Sequence, residues 1–424
     1  MVVFLLLACV AAPPSASATP EELGAAPGGD VDVLFSTDTL PTFRLVIDDP
    51  DWAETLTSLI PDDACAPRPY LAADLSFENP VSGEEERWAN VGVRYRGHSS
   101  LWIPNYAAGS RWGLKLSFDT FVEGRAFHEG LDIVNLLGTE GDESLLREAL
   151  GLALLREADV PAPRASWARL YVNGEYLGVF PNSEEADDGA FVERRFGMHD
   201  GSLYEVSGYC GNADLAWSDD DPETYDGYHP KSNTTEEHKR RDLIPFLACA
   251  SEGDEDAFAA CLPTWVDVPG WLRLMAVDAL LANYDGLAAA GHNYLLWFPP
   301  DGSPGVVWPY DLDLAFYADA GHIASESIYD FHPTWVLAAP SLTRRVRSVW
   351  SEAFCEAVLQ EEEAVAPEAL IPRVEALRER LAPEIEADPF LDAARWGEAV
   401  DALLAVARAR HRDVVEEAAA CRRP

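Results

Sequence analysis

Three short stretches of this sequence combine residue types that could bind a phosphate group and a metal ion. The first covers residues 94–100, RYRGHSS, and is followed by a lysine on the next extended segment. A glycine with small hydroxyl side chains in a turn lets backbone N–H groups approach phosphate oxygens closely, and a nearby lysine can reach the same oxygens. The candidate phosphate ligands are Arg96, Gly97, Ser99, Ser100 and Lys115. The structural alternative is an ordinary β-turn beside a lysine at a strand edge.

The second stretch, residues 283–293, places an aspartate and an asparagine directly after the pattern of a buried helix. A carboxylate beside apolar runs needs a partner, because burying an unpaired charge is costly. A metal ion or a substrate hydroxyl could be that partner for Asp285, with Asn293 nearby. On structural grounds alone, Asp285 would be a turn residue at a helix end, and His292 would be a hydrogen-bonded structural histidine.

The third stretch, residues 308–316, WPYDLDLAF, is the most suggestive of the three. Asp311 and Asp313 are two positions apart in an apolar segment that reads as extended, so their side chains should point to the same side. Two carboxylates that close repel each other unless a cation lies between them. Magnesium takes one or two carboxylates together with phosphate oxygens, which fits this pair. The alternative is a pair of partly exposed loop acids.

Taken together, these residues follow the order of the parts in protein-kinase phosphoryl transfer. A Gly/Ser turn comes first, then a strand lysine, a helix glutamate at Glu148, an aspartate, an asparagine and a further aspartate. The usual kinase strings GxGxxG, HRD and DFG are absent. The sequence therefore indicates phosphoryl-transfer chemistry without an ordinary kinase signature.

The surrounding sequence predicts an α+β protein. Residues 31–185 contain segments that alternate apolar and polar residues, one long helix, and a hairpin with a tight turn at Asn173 and Gly174. Residues 186–424 are predicted to be chiefly helical, with two strands around residues 292–316 and three or four amphipathic helices after residue 341.

The N-terminal residues predict export. Residues 2–12 are apolar, but a bilayer-spanning helix needs about 20 such residues, so the run is typical of a secretory signal. We expect the signal to cover residues 1–18, and a flexible tether rich in Ala, Pro, Gly and Ser to cover residues 19–30. Residues 6–9, LLAC, resemble a bacterial lipobox, in which Cys9 would carry the lipid. Cleavage without lipidation is the alternative.

Six cysteines remain if Cys9 belongs to the signal, and an even number could form three disulfides in an oxidising compartment. Cys249 and Cys261 flank a helix-like acidic stretch and form the best local pair, while the sequence leaves the other pairings open. No CxxC motif and no Cys/His spacing typical of zinc occurs, so we expect no structural zinc site.

The charge balance excludes some partners. The net charge is −42, from 73 acidic against 31 basic residues. Such a surface repels a phosphate backbone and anionic lipids, so we expect no nucleic-acid binding and no membrane contact except through a lipid at Cys9. Lysine occurs only at Lys115, Lys231 and Lys239, so a lysine within a motif stands out from a low background.

Several segments between about residue 40 and residue 320 occur in the order found in one known family. They are RYRGHSS, RWGLKLSFD, IVNLLG with DESLLREAL, ARLYVNGEYLGVF, ANYDGLAAAGHNYLLW and PYDLDLAF. In these segments the chain resembles the CotH kinase family, the spore-coat-protein-H-like atypical kinases. The resemblance implies a secreted or surface-associated protein that binds ATP with Mg²⁺. It also implies a divergent two-lobed protein-kinase-like fold, with a β-rich N-lobe at 31–185 and a helical C-lobe at 186–424.

The resemblance implies a role for each candidate acid. Asp285 resembles the catalytic-loop aspartate that orients or deprotonates the acceptor hydroxyl, and Asn293 resembles the asparagine that helps to hold metal. Asp311 and Asp313 resemble the paired acids of the metal loop, with Asp311 preferred as the main metal ligand.

For the nucleotide, Lys115 resembles the phosphate-binding strand lysine, with Arg111 as the alternative, and Glu148 would be the ion-pair partner of the lysine. The chain departs from the family pattern at His98, Tyr310 and Tyr317. Tyr317 replaces a small glycine and could crowd the metal loop.

These observations predict an exported enzyme that transfers a phosphoryl group from ATP to a hydroxyl of a protein substrate. One alternative is a catalytically inactive surface protein that keeps the fold to bind partners. Another is a different nucleotide-dependent transferase that moves AMP or a sugar, because the acids at 311 and 313 alone could be the DxD motif of a glycosyltransferase.

Overall fold

The computed structural model describes most of the chain from residue 31 onward. The described residues are 31–63, 65–97, 101, 111–139, 141–198, 200–206, 210–211, 213–232, 235, 240–317, 326–333, 336 and 338–421. The predicted signal, the tether and Cys9 lie outside the described residues, and so do His98, Ser99 and Ser100. The roles suggested for these residues stay predictions.

Within the described residues, seven strands close into a β-barrel in the order β1-β2-β3-β4-β5-β7-β6. The strands are β1 (Thr42–Val46), β2 (Leu71–Glu78), β3 (Glu85–Arg96), β4 (Gly113–Ser117), β5 (Ile133–Leu136), β6 (Ala165–Val172) and β7 (Glu175–Glu184). Neighbours pair antiparallel, except that β1 pairs parallel with β6 and so closes the barrel. Apolar side chains fill the interior, and the ring of Phe77 lies 5.2 Å from that of Phe43 and 4.9 Å from that of Phe127.

A second sheet of four antiparallel strands has the order β11-β10-β8-β9. Its strands are β8 (Ser202–Val206), β9 (Tyr228–Pro230), β10 (Tyr294–Phe298) and β11 (Val306–Pro309). Every residue of β10 is buried, which explains why its sequence, YLLWF, shows no alternation of apolar and polar residues.

Helices surround both sheets. Those before the second sheet are α1 (Val31–Leu34), α2 (Trp52–Ser58), α3 (Arg147–Glu157) and α4 (Gly189–Phe196). The later ones are α5 (Leu243–Ala250), α6 (Glu255–Cys261), α7 (Val268–Leu281), α8 (Ser341–Val349), α9 (Ser351–Val365), α10 (Pro367–Ala387) and α11 (Ala393–Cys421). The largest core combines α3, β6, α7 and the C-terminal helices, for example through Leu150, Trp167, Leu281 and Val400.

The prediction of a two-lobed protein-kinase-like fold was wrong, although the chain does mix helices and strands. The parallel pairing of β1 with β6 closes the first strands into a barrel. In the second sheet, β10 and β11 correspond to the two strands predicted around residues 292–316, whereas β8 and β9 were not predicted. Alternation of apolar and polar residues identifies strands, but it does not tell which strands pair across long sequence distances.

Three disulfides occur among the described residues: Cys65–Cys210, Cys249–Cys261 and Cys355–Cys421. The predicted number and the predicted local pair are both confirmed. Disulfides persist in oxidising compartments, so these bonds are consistent with export. In the part of the chain that the structure describes, no helix is long and apolar enough to cross a membrane.

Candidate functional site

Charged side chains from distant parts of the chain meet at the end of strand β3. Arg96 is the last residue of β3. Its guanidinium interacts electrostatically with four carboxylates: Glu148 on α3, Glu185 directly after β7, and Asp311 and Asp313 after β11. Burial disfavours the charged guanidinium, yet these carboxylates, Asp311 foremost, raise the pKa of Arg96 above its usual value. We call this group the charged cluster and define it as Arg96, Lys115, Glu148, Glu185, Asp285, Asp311 and Asp313.

Lys115 forms an ion pair with Glu185, in which Nζ lies 2.9 Å from Oε1. Both side chains are mostly buried, with 15% and 13% of their surface exposed. The register of β4 and β5 places Asn135 directly opposite Lys115. The Asn135 amide donates to Glu185 Oε2 at 2.7 Å and accepts from Arg96 Nε at 3.2 Å. The expected partner of Lys115 was Glu148, whereas the structure puts Glu185 there.

Glu148, on α3, instead binds the segment that contains Asp311 and Asp313. It is buried, and its carboxylate accepts from the Ser183 hydroxyl at 3.0 Å and from the backbone N–H of Leu312. Burial, together with the negative charge of Asp311, raises the pKa of Glu148 to about 7. The glutamate therefore ties α3 to the peptide between Asp311 and Asp313.

Asp285 lies in the loop between α7 and β10. Ala282 ends α7 with a left-handed φ of 49°, and the loop then carries Asp285 towards the charged cluster. Asn293 donates from Nδ2 to Asp285 Oδ2 at 3.0 Å, and Nδ1 of His292 lies 3.7 Å from Oδ1. Burial first, and then the charge of Asp311, raises the pKa of Asp285 to about 7. Its Oδ1 atom is buried and accepts no hydrogen bond.

Asp311 and Asp313 follow β11 rather than lying within it, since β11 ends at Pro309. Asp311 has a φ of 59°, a left-handed conformation that is uncommon for a residue with a side chain and often marks a functional site. The pKa of Asp313 is raised well above its usual value by burial and then by its acidic neighbours, Asp311 first. Gly141 lies against this carboxylate, because a Cβ at Gly141 would overlap with Oδ2 of Asp313.

Arg147 anchors the same segment from α3. Its Nη1 donates to the backbone oxygen of Asp313 at 3.1 Å and to that of Gly141 at 3.0 Å. The ring of Tyr317 lies 5.4 Å from the Arg147 guanidinium carbon. The tyrosine expected to crowd the metal loop therefore packs beside the arginine that supports it.

Two predicted nucleotide-binding residues make other contacts. Arg111 is buried, forms an ion pair with Asp388 at 2.6 Å and lies over the ring of Phe180 at 3.9 Å, so the structure places it between the barrel and the C-terminal helices. Gly97 directly follows β3 with a φ of 118°, and its carbonyl accepts a hydrogen bond from Arg68 at 2.6 Å. A positive φ favours glycine, so the turn requires glycine at position 97 whether or not Gly97 binds a phosphate.

Comparison with known proteins identifies the family. The family model of the CotH kinase protein matches residues 93–414 of the 424 residues. The chain belongs to the CotH family. It is also similar to the inner spore coat protein H of Bacillus subtilis (strain 168), with 26% identity over 281 residues, which cover 64% of this chain and 73% of that protein. The family match spans the whole charged cluster.

Sequence reasoning missed three acids of this CotH protein's site region and a lysine beside them. Glu185 and Asp187 follow β7, Glu205 lies on β8, and Lys231 follows β9. The run SEEADD at 183–188 is the signal that could have found the first two, because acids directly after a buried strand need partners. Lys231 could have been found from the rarity of lysine in the chain.

The charged cluster suits a metal that arrives with phosphate rather than a metal held by protein alone. Among the described residues, no group of three or more His, Cys, Asp or Glu side chains is arranged to hold a metal ion. Mg²⁺ bound with a nucleotide needs only one or two carboxylates besides phosphate oxygens. Asp311, Asp313 and Asn293 are residue types that fit such a site, and Oδ1 of Asp285 is buried without a hydrogen bond.

Proposed function

We propose that this protein is an exported phosphotransferase that moves the terminal phosphoryl group of Mg-ATP to a hydroxyl of a protein substrate. The observation that carries the proposal is the charged cluster, in which the half-buried Arg96 interacts with Glu185 of the Lys115–Glu185 ion pair, with Glu148 and with the acids at 311 and 313. Asp285 joins the cluster through its interaction with Asp311. Phosphoryl transfer needs basic groups and carboxylates together, because catalysis depends on positioning the reactants and on neutralising the charge of the phosphates.

The basic residues would bind the phosphates. The ammonium of Lys115 is held by Glu185, and Asn135 fixes Glu185 in turn, so the lysine is ordered before any ligand binds. Arg96 interacts electrostatically with Glu185 and with the acids after β11, and its guanidinium would also bind phosphate oxygens. Preordered groups lose little entropy on binding, which favours tight binding of the donor.

Asp285 would act on the acceptor. A general base works best when its pKa lies near the working pH, and burial brings the pKa of Asp285 to about 7. The acceptor oxygen forms a bond to the γ-phosphorus, the bond from that phosphorus to the bridging oxygen breaks, and ADP leaves. The hydroxyl proton passes to Asp285, whose other oxygen is held by Asn293.

Mg²⁺ would neutralise phosphate charge and align the donor when bound. Asp311, Asp313 and Asn293 are the residues that would hold it, and Glu148 and Arg147 fix the segment that carries the two aspartates. The cluster is rich in carboxylates, which supports a need for a divalent cation.

The proposed setting is the cell envelope or the outside of the cell. The three disulfides support an oxidising compartment, and the similar protein from Bacillus subtilis is named as a spore coat protein. Attachment through a lipid at Cys9 remains part of this proposal. The acceptor is a protein of unknown identity, because the charge of −42 argues against nucleic acid.

Thermal unfolding of the purified protein with ATP, with and without Mg²⁺, tests the donor site. We expect stabilisation that requires both ligands, of about 2.7 kcal/mol when the nucleotide is at a hundred times its Kd. Asp311→Asn and Asp313→Asn should each remove the magnesium-dependent part. Asp301→Asn, in an exposed turn, is the matched control and should behave like wild type. If wild type shows no shift with any nucleotide or metal, the chain is a binding protein and not a transferase.

Mass spectrometry of a generic acceptor such as casein then identifies the transferred group. In a reaction supplied with both ATP and a sugar nucleotide, a phosphoryl group, AMP and a hexose add different masses, so a single spectrum separates the proposed reaction from the other nucleotide-dependent transfers. An AMP or hexose adduct in place of a phosphoryl adduct would overturn the assignment of the reaction.

A further inference from the structure

Lys231 lies between two acids beside the charged cluster. Its Nζ lies 2.5 Å from Asp187 Oδ2 and 2.6 Å from Glu205 Oε2. The backbone N–H of Lys231 donates to the carbonyl of Leu203 at 2.8 Å, which fixes the lysine to strand β8. The side chain is 31% exposed, so its charge is paired but not sealed from solvent.

The acids that hold Lys231 continue to both ends of the charged cluster. Asp187 shares a hydrogen bond with Glu185, the partner of Lys115. Glu205 shares a hydrogen bond with Tyr310, the residue before Asp311. Lys231 therefore stands at the centre of a chain of contacts that links the phosphate-binding lysine to the metal-loop acids.

Charge balance shows what Lys231 does in this chain of contacts. Glu185, Asp187 and Glu205 are three carboxyl groups that share two ammonium groups, those of Lys115 and Lys231, and one proton, which Asp187 holds in its hydrogen bond to Glu185. Lys115 also attracts Asp187 and Glu205 electrostatically. Without Lys231, these two acids would lose their nearest cation and would compete with Glu185 for Lys115.

The composition of the chain adds an independent argument. Only three of the 31 basic residues are lysines, and two of those three lie in or beside the charged cluster. An ammonium is a compact point charge that fits between two carboxylates, whereas a guanidinium is a planar fork with a different geometry. Lysine is therefore rare in this chain, and two of its three lysines lie at these positions.

We infer that Lys231 is a positioning residue of the nucleotide site: it balances the charge of Glu205 and holds Asp187 in place, so that Lys115 stays with Glu185 and faces the phosphates. The inference rests on the proposed function in so far as it concerns ATP. The effect on Lys115 itself can be measured without any nucleotide.

Titration calorimetry with Mg-ATP tests the effect on binding. We expect Lys231→Met to raise the Kd about tenfold and Lys231→Arg to raise it less, because arginine keeps the charge but not the shape. The control is Arg44→Met, which removes the cation of an exposed ion pair with Glu78 on the barrel. This variant should leave the Kd unchanged. An unchanged Kd in Lys231→Met would overturn the inference.

A double variant separates positioning from a merely structural role. If the harm in Lys231→Met comes from unbalanced charge on Glu205, then Glu205→Gln in the same chain should restore most of the affinity for Mg-ATP. The glutamine oxygen can still accept a hydrogen bond from Tyr310. A lysine needed only for packing would not be rescued in this way, so failure of the rescue contradicts the inference.

Acylation of Lys115 by an N-hydroxysuccinimide ester, followed by peptide mass spectrometry, gives a readout free of nucleotide. In Lys231→Met the added negative charge around Lys115 should slow its acylation about fivefold, and the double variant should restore the rate. Unchanged acylation would refute the role of Lys231. If the variants show this pattern of acylation but the wild-type protein binds no Mg-ATP, the result refutes the proposed function and leaves the effect of Lys231 on Lys115 intact.

Discussion

Asn293 donates a hydrogen bond from Nδ2 to Oδ2 of Asp285, eight positions earlier, at 3.0 Å, and both residues lie in the loop between helix α7 and strand β10. The bond fixes one carboxylate oxygen and leaves Oδ1 buried without a hydrogen-bond donor. An acid held at one oxygen, with the other available, is suited to accept a proton from a substrate hydroxyl. This arrangement gives the first prediction.

Asp285→Asn should lower phosphoryl transfer by about 10²- to 10⁴-fold, the range that a general base contributes. Asparagine has nearly the same shape, so circular dichroism and thermal unfolding should show a folded protein. Transfer of radiolabelled phosphate to casein measures the loss, and Asp301→Asn in an exposed turn is the control. A variant with full activity would remove Asp285 from the mechanism.

Gly141→Ala should impair the metal loop by steric contact alone. A Cβ at Gly141 would overlap with Oδ2 of Asp313, so the carboxylate must move. We expect the magnesium-dependent part of the stabilisation by ATP to disappear while the protein stays folded. Gly253→Ala is the control, since nothing lies within 4 Å of a Cβ there. Normal magnesium dependence in Gly141→Ala would show that the position of Asp313 does not matter for the metal.

The acids of the site could be predicted from the sequence because their signals are local. Asp285, Asp311 and Asp313 each lie beside an apolar run, so a short stretch of sequence already shows a carboxylate whose burial would require a partner. Even so, the geometry at Asp311 was not foreseen, because the left-handed φ of 59° ends the extended conformation that the pattern indicated.

The partner of Lys115 could not be predicted, because it depends on pairing between distant strands. Register places Lys115 opposite Asn135 on β5, and Asn135 opposite Ser183 on β7. Glu185 follows two residues later and so reaches the lysine. Closure of the barrel depends on the same kind of long-range pairing, and an alternating pattern carries no information about it. The prediction of a kinase-like fold was wrong for this reason.

Arg111 gives a prediction about stability rather than nucleotide binding. Its ion pair with Asp388 joins the barrel to the segment between α10 and α11, with only 7% and 0% of the two side chains exposed. Breaking a buried pair by removing one partner costs about 3–5 kcal/mol, because the other charge stays buried and unpaired. Arg111→Met should lower the free energy of unfolding by about this amount.

Chemical denaturation of Arg111→Met, Asp388→Leu and the double variant completes this test. The double variant should recover much of the loss, since apolar replacement of both partners is often neutral. The Kd for Mg-ATP of the folded variants should match wild type. A loss of nucleotide affinity in Arg111→Met, without the expected loss of stability, would instead support Arg111 as a phosphate ligand.

Asp278 gives a prediction about pH, because it supports the Asp285 loop from within α7. Its carboxylate accepts from Asn283 Nδ2 at 2.9 Å and from the backbone N–H of Ala288 at 3.4 Å, and Arg347 is the charged group that faces it. Burial raises the pKa of Asp278 to about 7 from its ordinary value of 3.8, against the opposing effect of these contacts. Between those two pH values the folded protein binds more protons at this group than the unfolded chain does.

The free energy of unfolding should therefore fall as the pH rises from about 4 to about 7, with Asp278 responsible for part of the slope. Asp278→Asn cannot titrate, so urea denaturation across this range should give a shallower slope than wild type, even though the variant loses one hydrogen bond and starts from a lower stability. The slope is the decisive quantity, because a lost hydrogen bond lowers stability equally at every pH. Asp301→Asn should keep the wild-type slope. Equal slopes for Asp278→Asn and wild type would mean that Asp278 is charged throughout this range and that Arg347 compensates its burial fully.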